Sequence, residues 1–296
     1  MSYLGHWSFD PFLVIAVILV ACHETGLARL ASSDPQGTRR RRLRSLEFYS
    51  GLAVVLVAVD SPVQYFADRY FFMHMVQHLL LMFAAPTLIV AGAPWRPLAE
   101  AFPRGAAALG RSRALRVAGR WLLGPWVAVV AFNAVMLLWH VPALLDLGVS
   151  NWTVQVWLLH SSYLTVGILF WLLFIPSPPL PMRMPPEGQA IALVATNVIM
   201  WLLAMAMGIL TTVSWYSVFN HVPGVTLSPF ADQQIGAGIL WICGDFWAVP
   251  ALIMAFRRII AADGSLGSAI DKMLGHGARA DIAATRGSGW SSRAGR

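Results

Sequence analysis

Twenty of the chain's twenty-one lysines and arginines fall on alternate sides of a series of long apolar runs. The runs cover residues 12–31, 46–66, 70–93, 121–145, 152–175, 189–212 and 235–260. Each is long enough to cross ~30 Å of hydrocarbon at ~1.5 Å per residue. The cationic residues lie within 29–44, within 96–120, at Arg183, and from Arg257 to Arg296, while the intervening gaps hold Arg69 alone. Cytoplasmic loops collect Lys and Arg. The pattern therefore predicts seven transmembrane helices, with the N-terminus outside and the C-terminus in the cytoplasm.

Composition points the same way. With 57% hydrophobic and 12% charged residues, the chain departs from soluble globular domains. Backbone groups inside a bilayer find no water, so the spans are expected to be helices and the fold class an all-α, polytopic integral membrane protein. Trp7, Trp95, Trp121, Trp152 and Trp215 stand near run ends, as an interfacial belt requires. The net charge of +7 does not argue for nucleic acid, because the arginines are sorted by membrane side. Arg39, Arg40, Arg41 and Arg42 suit anionic lipid head groups of the bilayer instead.

Residues 1–11 carry no Lys or Arg, so the first run does not read as a cleavable signal. The expected division is a seven-helix membrane domain, 1–261, and a basic tail, 262–296, too poor in large apolar residues to pack. The loop 94–120 is expected to form a surface helix over 104–120. Pro62, Pro86, Pro125, Pro142 and Pro250 lie in or near the runs, where proline kinks a helix. Cys22 and Cys243 lie in separate runs and form no disulfide framework or metal motif. No internal repeat supports a transporter built from duplicated halves. Neither a nucleophile elbow, a P-loop nor a zinc-protease helix is present, so no enzyme and no catalytic residue is expected.

Polar groups in a bilayer are costly and mark function or tight pairing. On the predicted topology, His74 and His78 lie roughly 6 and 12 Å below the outer end of the third run, His140 about 9 Å and His160 about 12 Å from theirs, and Asp60 about 9 Å from the outer surface. Four histidines and a carboxylate from four helices thus share the outer half. His74 and His78, four apart, occupy one helix face, which Met82 extends; Asn133, Met136 and His140 form a similar stripe. Imidazole binds copper, zinc or iron, and thioether sulfur favours Cu(I). His74, His78, His140, His160 and Asp60 are the candidate metal ligands. His23, Glu24 and Asp245 read equally as helix–helix hydrogen bonds or a proton relay. Met200, Met205 and Met207 read as core packing ahead of Cu(I) ligands, His221 as an external-loop residue, either solvated or an entry ligand, and His276 as tail.

These residues carry a resemblance. Ser61-Pro62, the stretch His74-Met75-Val76-Gln77-His78, Ala85-Pro86 and Gly92-Ala93-Pro94 resemble the signature of the CtaG-type cytochrome c oxidase assembly factors. Trp139-His140-Val141-Pro142, His160 with Gly167, Phe170 and Trp171, and Asp232-Gln233-Gln234 with Gly236, Gly238 and Trp241 follow in the same order. The likeness extends over roughly residues 12–256; it departs in the last run, where Ala237 separates two glycines and Leu240 precedes Trp241. The resemblance implies a multi-pass protein of the bacterial plasma membrane that assembles cytochrome c oxidase, with oxidase subunits as partners. It implies a task in copper-centre maturation, copper as the metal, and His74, His78, His140 and His160 as the positions to carry over. Two alternatives remain at this level: a haem protein with histidine axial ligands, and a seven-helix transporter, whose polar groups should line both halves of the membrane.

The topology has a direct check. A reporter fused after Arg258 is expected to behave as cytoplasmic, and one near His221 as external. The opposite result at either position would overturn the orientation.

Overall fold

The structure is a computed structural model in which residues 5–263 and Gly267 are described. Among the described residues there are helices and no strands. In chain order they are α1 (Pro11–Ser33), α2 (Pro35–Val59), α3 (Pro62–Ala67), α4 (Phe71–Gly92), α5 (Trp95–Ala101), α6 (Pro103–Arg111), α7 (Arg113–Leu122), α8 (Pro125–Trp139), α9 (Pro142–Ser150), α10 (Trp152–Trp171), α11 (Pro186–Gly208) and α12 (Pro229–Asp263). Eight of these twelve open on proline, whose missing N–H is harmless in a first turn, so proline sets most of the starting points. Side-chain caps add to this: Asp10 accepts from Phe12 N, Asp34 from Gly37 N, Ser61 from Val63 N and Asn151 from Val154 N.

Among the described residues, five helices are long and apolar enough to cross a membrane: α1, α4, α10, α11 and α12. A sixth span arises if the end of α7 and α8 are taken together across their 65° bend at Leu123–Gly124–Pro125. Five to six spans and the all-helical architecture are those of a multi-pass membrane protein. The expected run 46–66 is not one continuous helix: α2 ends at Val59, Asp60 and Ser61 form a turn, and Pro62 starts α3 in a new direction. The run 121–145 is likewise interrupted at His140 and Val141, before Pro142 opens α9. The surface helix expected over 104–120 is present as two, α6 and α7. Of the tail, only the end of α12 and Gly267 fall within the described residues.

Helix α4 is the centre of the bundle: 67% of its apolar window is buried, against 22% for α12. It packs on α2, α10 and α12. Two glycines show how closely the helices approach. A Cβ on Gly26 of α1 would stand 1.8 Å from the Pro97 carbonyl oxygen, so α5 lies directly against α1. A Cβ on Gly167 of α10 would meet Pro86 Cγ at 2.6 Å and the Met82 carbonyl oxygen at 2.7 Å. Small residues at such crossings let helix backbones pack where no hydrophobic effect drives them together.

Both α4 and α10 contain a π-helical turn, Leu80–Ala84 and Gln155–His160 respectively. In α4 the Ala85 amide donates to the Leu80 carbonyl, and the next residue, Pro86, has no amide to give. The Met82 carbonyl is then met from outside the helix, by the Trp171 indole N–H at 3.2 Å.

Gly167→Ala is expected to destabilise the bundle by about 1–3 kcal/mol, because its neighbours are backbone and a proline ring. Gly238→Ala, where nothing lies within 4 Å, serves as control and is expected to be neutral or mildly stabilising. Unfolding of both variants in detergent micelles checks the contrast.

Candidate functional site

Three helices bring four histidines together. His74 and His78 sit one turn apart on α4, with ring centroids 4.0 Å apart and planes at 65°. The His78 and His140 rings are 5.9 Å apart. His160, from α10, lies within electrostatic range of both His74 and His78. All four are buried, at 0%, 3%, 4% and 0% exposure for His74, His78, His140 and His160. They lie nearer the arginine-poor ends of their helices: His74 and His78 in the first half of α4, His160 in the first half of α10, and His140 just past the end of α8.

The hydrogen-bonding state of the rings sets their chemistry. His140 caps α8, and its Nδ1 stands 2.6 Å from the Met136 carbonyl oxygen. A carbonyl only accepts, so Nδ1 carries the proton and Nε2 keeps its lone pair. That Nε2, and both ring nitrogens of His74, His78 and His160, are buried without a hydrogen-bond partner. Seven such nitrogens in one cluster are unusual, since buried polar atoms are nearly always paired. Among the described residues, no three His, Cys, Asp or Glu are spaced as an assembled metal centre. The arrangement is a gathered set of neutral nitrogen donors rather than a closed shell.

Asp60 is engaged elsewhere. Its Oδ1 accepts from the Asp10 amide at 2.6 Å, its carbonyl from the Ser8 amide, and its Oδ2 is buried without a partner. No hydrogen bond or ion pair among the described residues joins it to the histidines. The weaker candidates pair between helices. His23 Nδ1 stands 2.9 Å from the Tyr49 hydroxyl, which donates to Glu24. Asp245 accepts from Asn197 Nδ2 (2.7 Å) and Trp201 Nε1 (3.1 Å). Met82, Met200 and Met207 are core residues, and both cysteines are free and half-buried.

Other residues hold the cluster in place. Tyr70 gives α4 no side-chain cap, and Asp232 of α12 supplies one from across the bundle: its carboxylate accepts from the Phe71 amide (2.7 Å) and the Phe72 amide (2.9 Å). Gln233 accepts from the Trp215 amide and donates to the Met207 carbonyl. Gln77, between the two histidines of α4, donates to the Ala58 carbonyl (2.8 Å) and Gln64 Oε1 (2.6 Å). The Tyr163 ring lies 4.2 Å from His78, with its hydroxyl buried and without a partner.

The loop between α11 and α12 folds over the histidines. Asp146 fixes it by accepting from the Ser217 and Val218 amides and the Ser217 hydroxyl. Tyr216 then stacks on Phe71 at 4.6 Å, with its hydroxyl 3.3 Å from the His140 carbonyl oxygen, and Phe219 lies 6.1 Å from His74. Burial, with the Asp146 charge adding to it, pushes the Tyr216 phenol above its ordinary range. Asp232 and Gln233 escaped notice as site residues because the sequence starts the last run at 235. The signal was Ser228-Pro229, a cap followed by an N1 proline, which starts that helix earlier.

Residues 22–262 match the family model described as cytochrome c oxidase caa3 assembly factor. The chain belongs to that family. Two curated relatives, uncharacterized proteins of Mycobacterium bovis and Mycobacterium tuberculosis, are each 25% identical over 283 residues, covering 90% of this chain and 41% of theirs. The chain thus spans about two-fifths of the length of the curated relatives it matches. No solved structure matches. The family match begins inside α1 and ends at the close of α12, so it takes in all four histidines, Asp232 and Gln233.

Asp232→Ala in this caa3-family chain is expected to lower stability by about 1–2 kcal/mol through loss of the α4 cap, with Asp232→Asn losing less. Unfolding in micelles, with protease cleavage near Arg69 as local probe, measures both.

Proposed function

We propose that the chain is a non-catalytic assembly factor of the bacterial plasma membrane that holds copper and passes it to a cytochrome c oxidase subunit. Family membership supports the assembly role and the oxidase as partner. One observation carries the copper reading: seven buried imidazole nitrogens without partners, gathered from two helices and the cap of a third. Histidines that only tied helices together would spend those nitrogens on hydrogen bonds, as His23 does.

Copper is cargo here, and the residues present fit it by donor type. Neutral imidazole is a good ligand for copper. His74 and His78 offer two donors on one face, and His140 offers Nε2, pre-set by its bond to Met136. His160 supplies the fourth. Asp60, bonded to the N-terminal segment, is the weakest of the candidate ligands. The lack of a closed shell suits transfer, since a cargo site has to release as well as bind. A haem reading fits poorly, because rings 4.0 Å apart at 65° leave no room for a macrocycle between them. The expected topology puts this cluster toward the outer face.

Loss of either His74 or His78 to alanine is expected to cut copper binding at least tenfold, while the protein still inserts. Copper content of purified protein, read beside the double variant, is the measurement. Host cells should assemble less oxidase, with partial rescue by added copper. His78→Gln keeps hydrogen bonding but is a poor copper ligand; full function in that variant would overturn the reading.

A further inference from the structure

The arginine-rich end of the bundle holds a cavity of about 340 Å³ that the histidine site does not use. Arg40, Arg41 and Arg44 line it from one face of α2, and Arg96 lines it from the opposite wall at the start of α5. Pro178 and Pro179, in the loop after α10, close a third side. That loop is anchored: Ser177 Oγ donates to the Val90 carbonyl at 2.5 Å and accepts from the Trp95 indole at 2.6 Å. Ala93, also in the wall, has φ 48° and ψ 57°, the left-handed region that a non-glycine residue rarely adopts. This residue turns the chain between α4 and α5, and so sets where Arg96 stands.

Charge in the cavity is not balanced. Asp34 bridges Arg41 at 2.9 Å and lies 4.0 Å from Arg96, and these are the ion pairs seen among the described residues. Four guanidinium groups against one carboxylate leave about three positive charges facing a shared space. Arg41 spends Nη2 on Asp34, while its Nη1 is buried without a hydrogen-bond partner. Guanidinium groups that line a cavity in excess of carboxylates supply the donors that recognise the oxygens of phosphate or carboxylate. The cavity stands where α1 and α4 end and α2 begins, the level of the lipid head groups.

We propose that this cavity is a binding site for a phosphoryl oxyanion, held by Arg40, Arg41, Arg44 and Arg96. The same chemistry has two sources, the phosphodiester of an anionic phospholipid and free inorganic phosphate. Placement at the ends of the spans favours the lipid. The site is remote from the histidines, so its test is independent of the copper reading.

The full-length protein, purified in a neutral detergent, is titrated with dioctanoyl phosphatidylglycerol, dioctanoyl phosphatidylcholine and inorganic phosphate. Tryptophan fluorescence is the readout, since Trp95 adjoins Arg96, with native mass spectrometry counting bound lipid. Phosphatidylglycerol is expected to bind at least tenfold tighter than phosphatidylcholine. Arg41→Gln and Arg96→Gln should each lose at least tenfold, and Arg113→Gln, on α7, less than twofold. Arg44→Gln guards against misfolding, because it leaves the Asp34 bridge intact and should still weaken binding. Saturation by millimolar phosphate with no preference for phosphatidylglycerol would support the oxyanion site and assign it to the free anion. Binding of neither probe, equal binding of the two lipids without phosphate binding, or an equal loss in Arg113→Gln would overturn the proposal.

Discussion

Pro86 removes one backbone donor from the most buried helix of the molecule, and in hydrocarbon no water replaces it. A π-turn also leaves a carbonyl of its helix without the usual partner. Placing Leu80–Ala84 directly before Pro86 overlaps the two defects, so α4 meets them once instead of twice. The Met82 oxygen that results is bonded by the Trp171 indole, and that bond is possible only because Gly167 lets α10 come within contact of Pro86. The α4–α10 crossing therefore follows from the need to satisfy one carbonyl. His78 precedes the turn on α4, and His160 ends its counterpart on α10. Extra residues in both helices reset side-chain direction next to the histidines, which is how rings from two long helices are turned toward one space.

Several other polar side chains of the helices are paired with one another. His23, Tyr49 and Glu24 satisfy one another between α1 and α2; Asn197 and Trp201 both donate to Asp245; Gln64 and Gln155 both donate to Asp68. Each set lowers the cost of a group that the bilayer would otherwise penalise. Against that background the four site histidines stand apart, because one hydrogen bond, from His140 to the Met136 carbonyl, is the one their eight ring nitrogens make among the described residues. Burial of a neutral imidazole is tolerable where burial of its charged form is not, so the cluster stays neutral and keeps lone pairs available.

Much of the frame was legible because bilayer thickness and arginine placement are one-dimensional constraints. The runs 12–31, 70–93, 152–175, 189–212 and 235–260 correspond to α1, α4, α10, α11 and α12, with ends displaced by up to about six residues. The other two runs are interrupted for a common reason: hydropathy sums over Asp60-Ser61-Pro62 and His140-Val141-Pro142, while the backbone breaks there. The histidines could be grouped by depth, since depth follows from residue count along a helix. Asp60 had the right depth but faces the N-terminal segment, and facing depends on helix rotation, which depth does not fix. Asp232 was illegible for the opposite reason, because its role lies wholly in a contact 161 residues away with the amide of Phe71.

Access follows from the same contacts. Tyr216 is fully buried against Phe71, and Phe219 beside His74, so the loop between α11 and α12 stands between the cluster and the arginine-poor surface. Three bonds to Asp146 tie that loop near the surface, and the Trp215 amide and Tyr216 hydroxyl tie it again to Gln233 and the His140 carbonyl. The tie is local and polar, near the surface, and weaker than the apolar packing beneath it. On the copper reading, a path from that surface to the histidines passes this loop, and the residues that tie it down set how the site is reached.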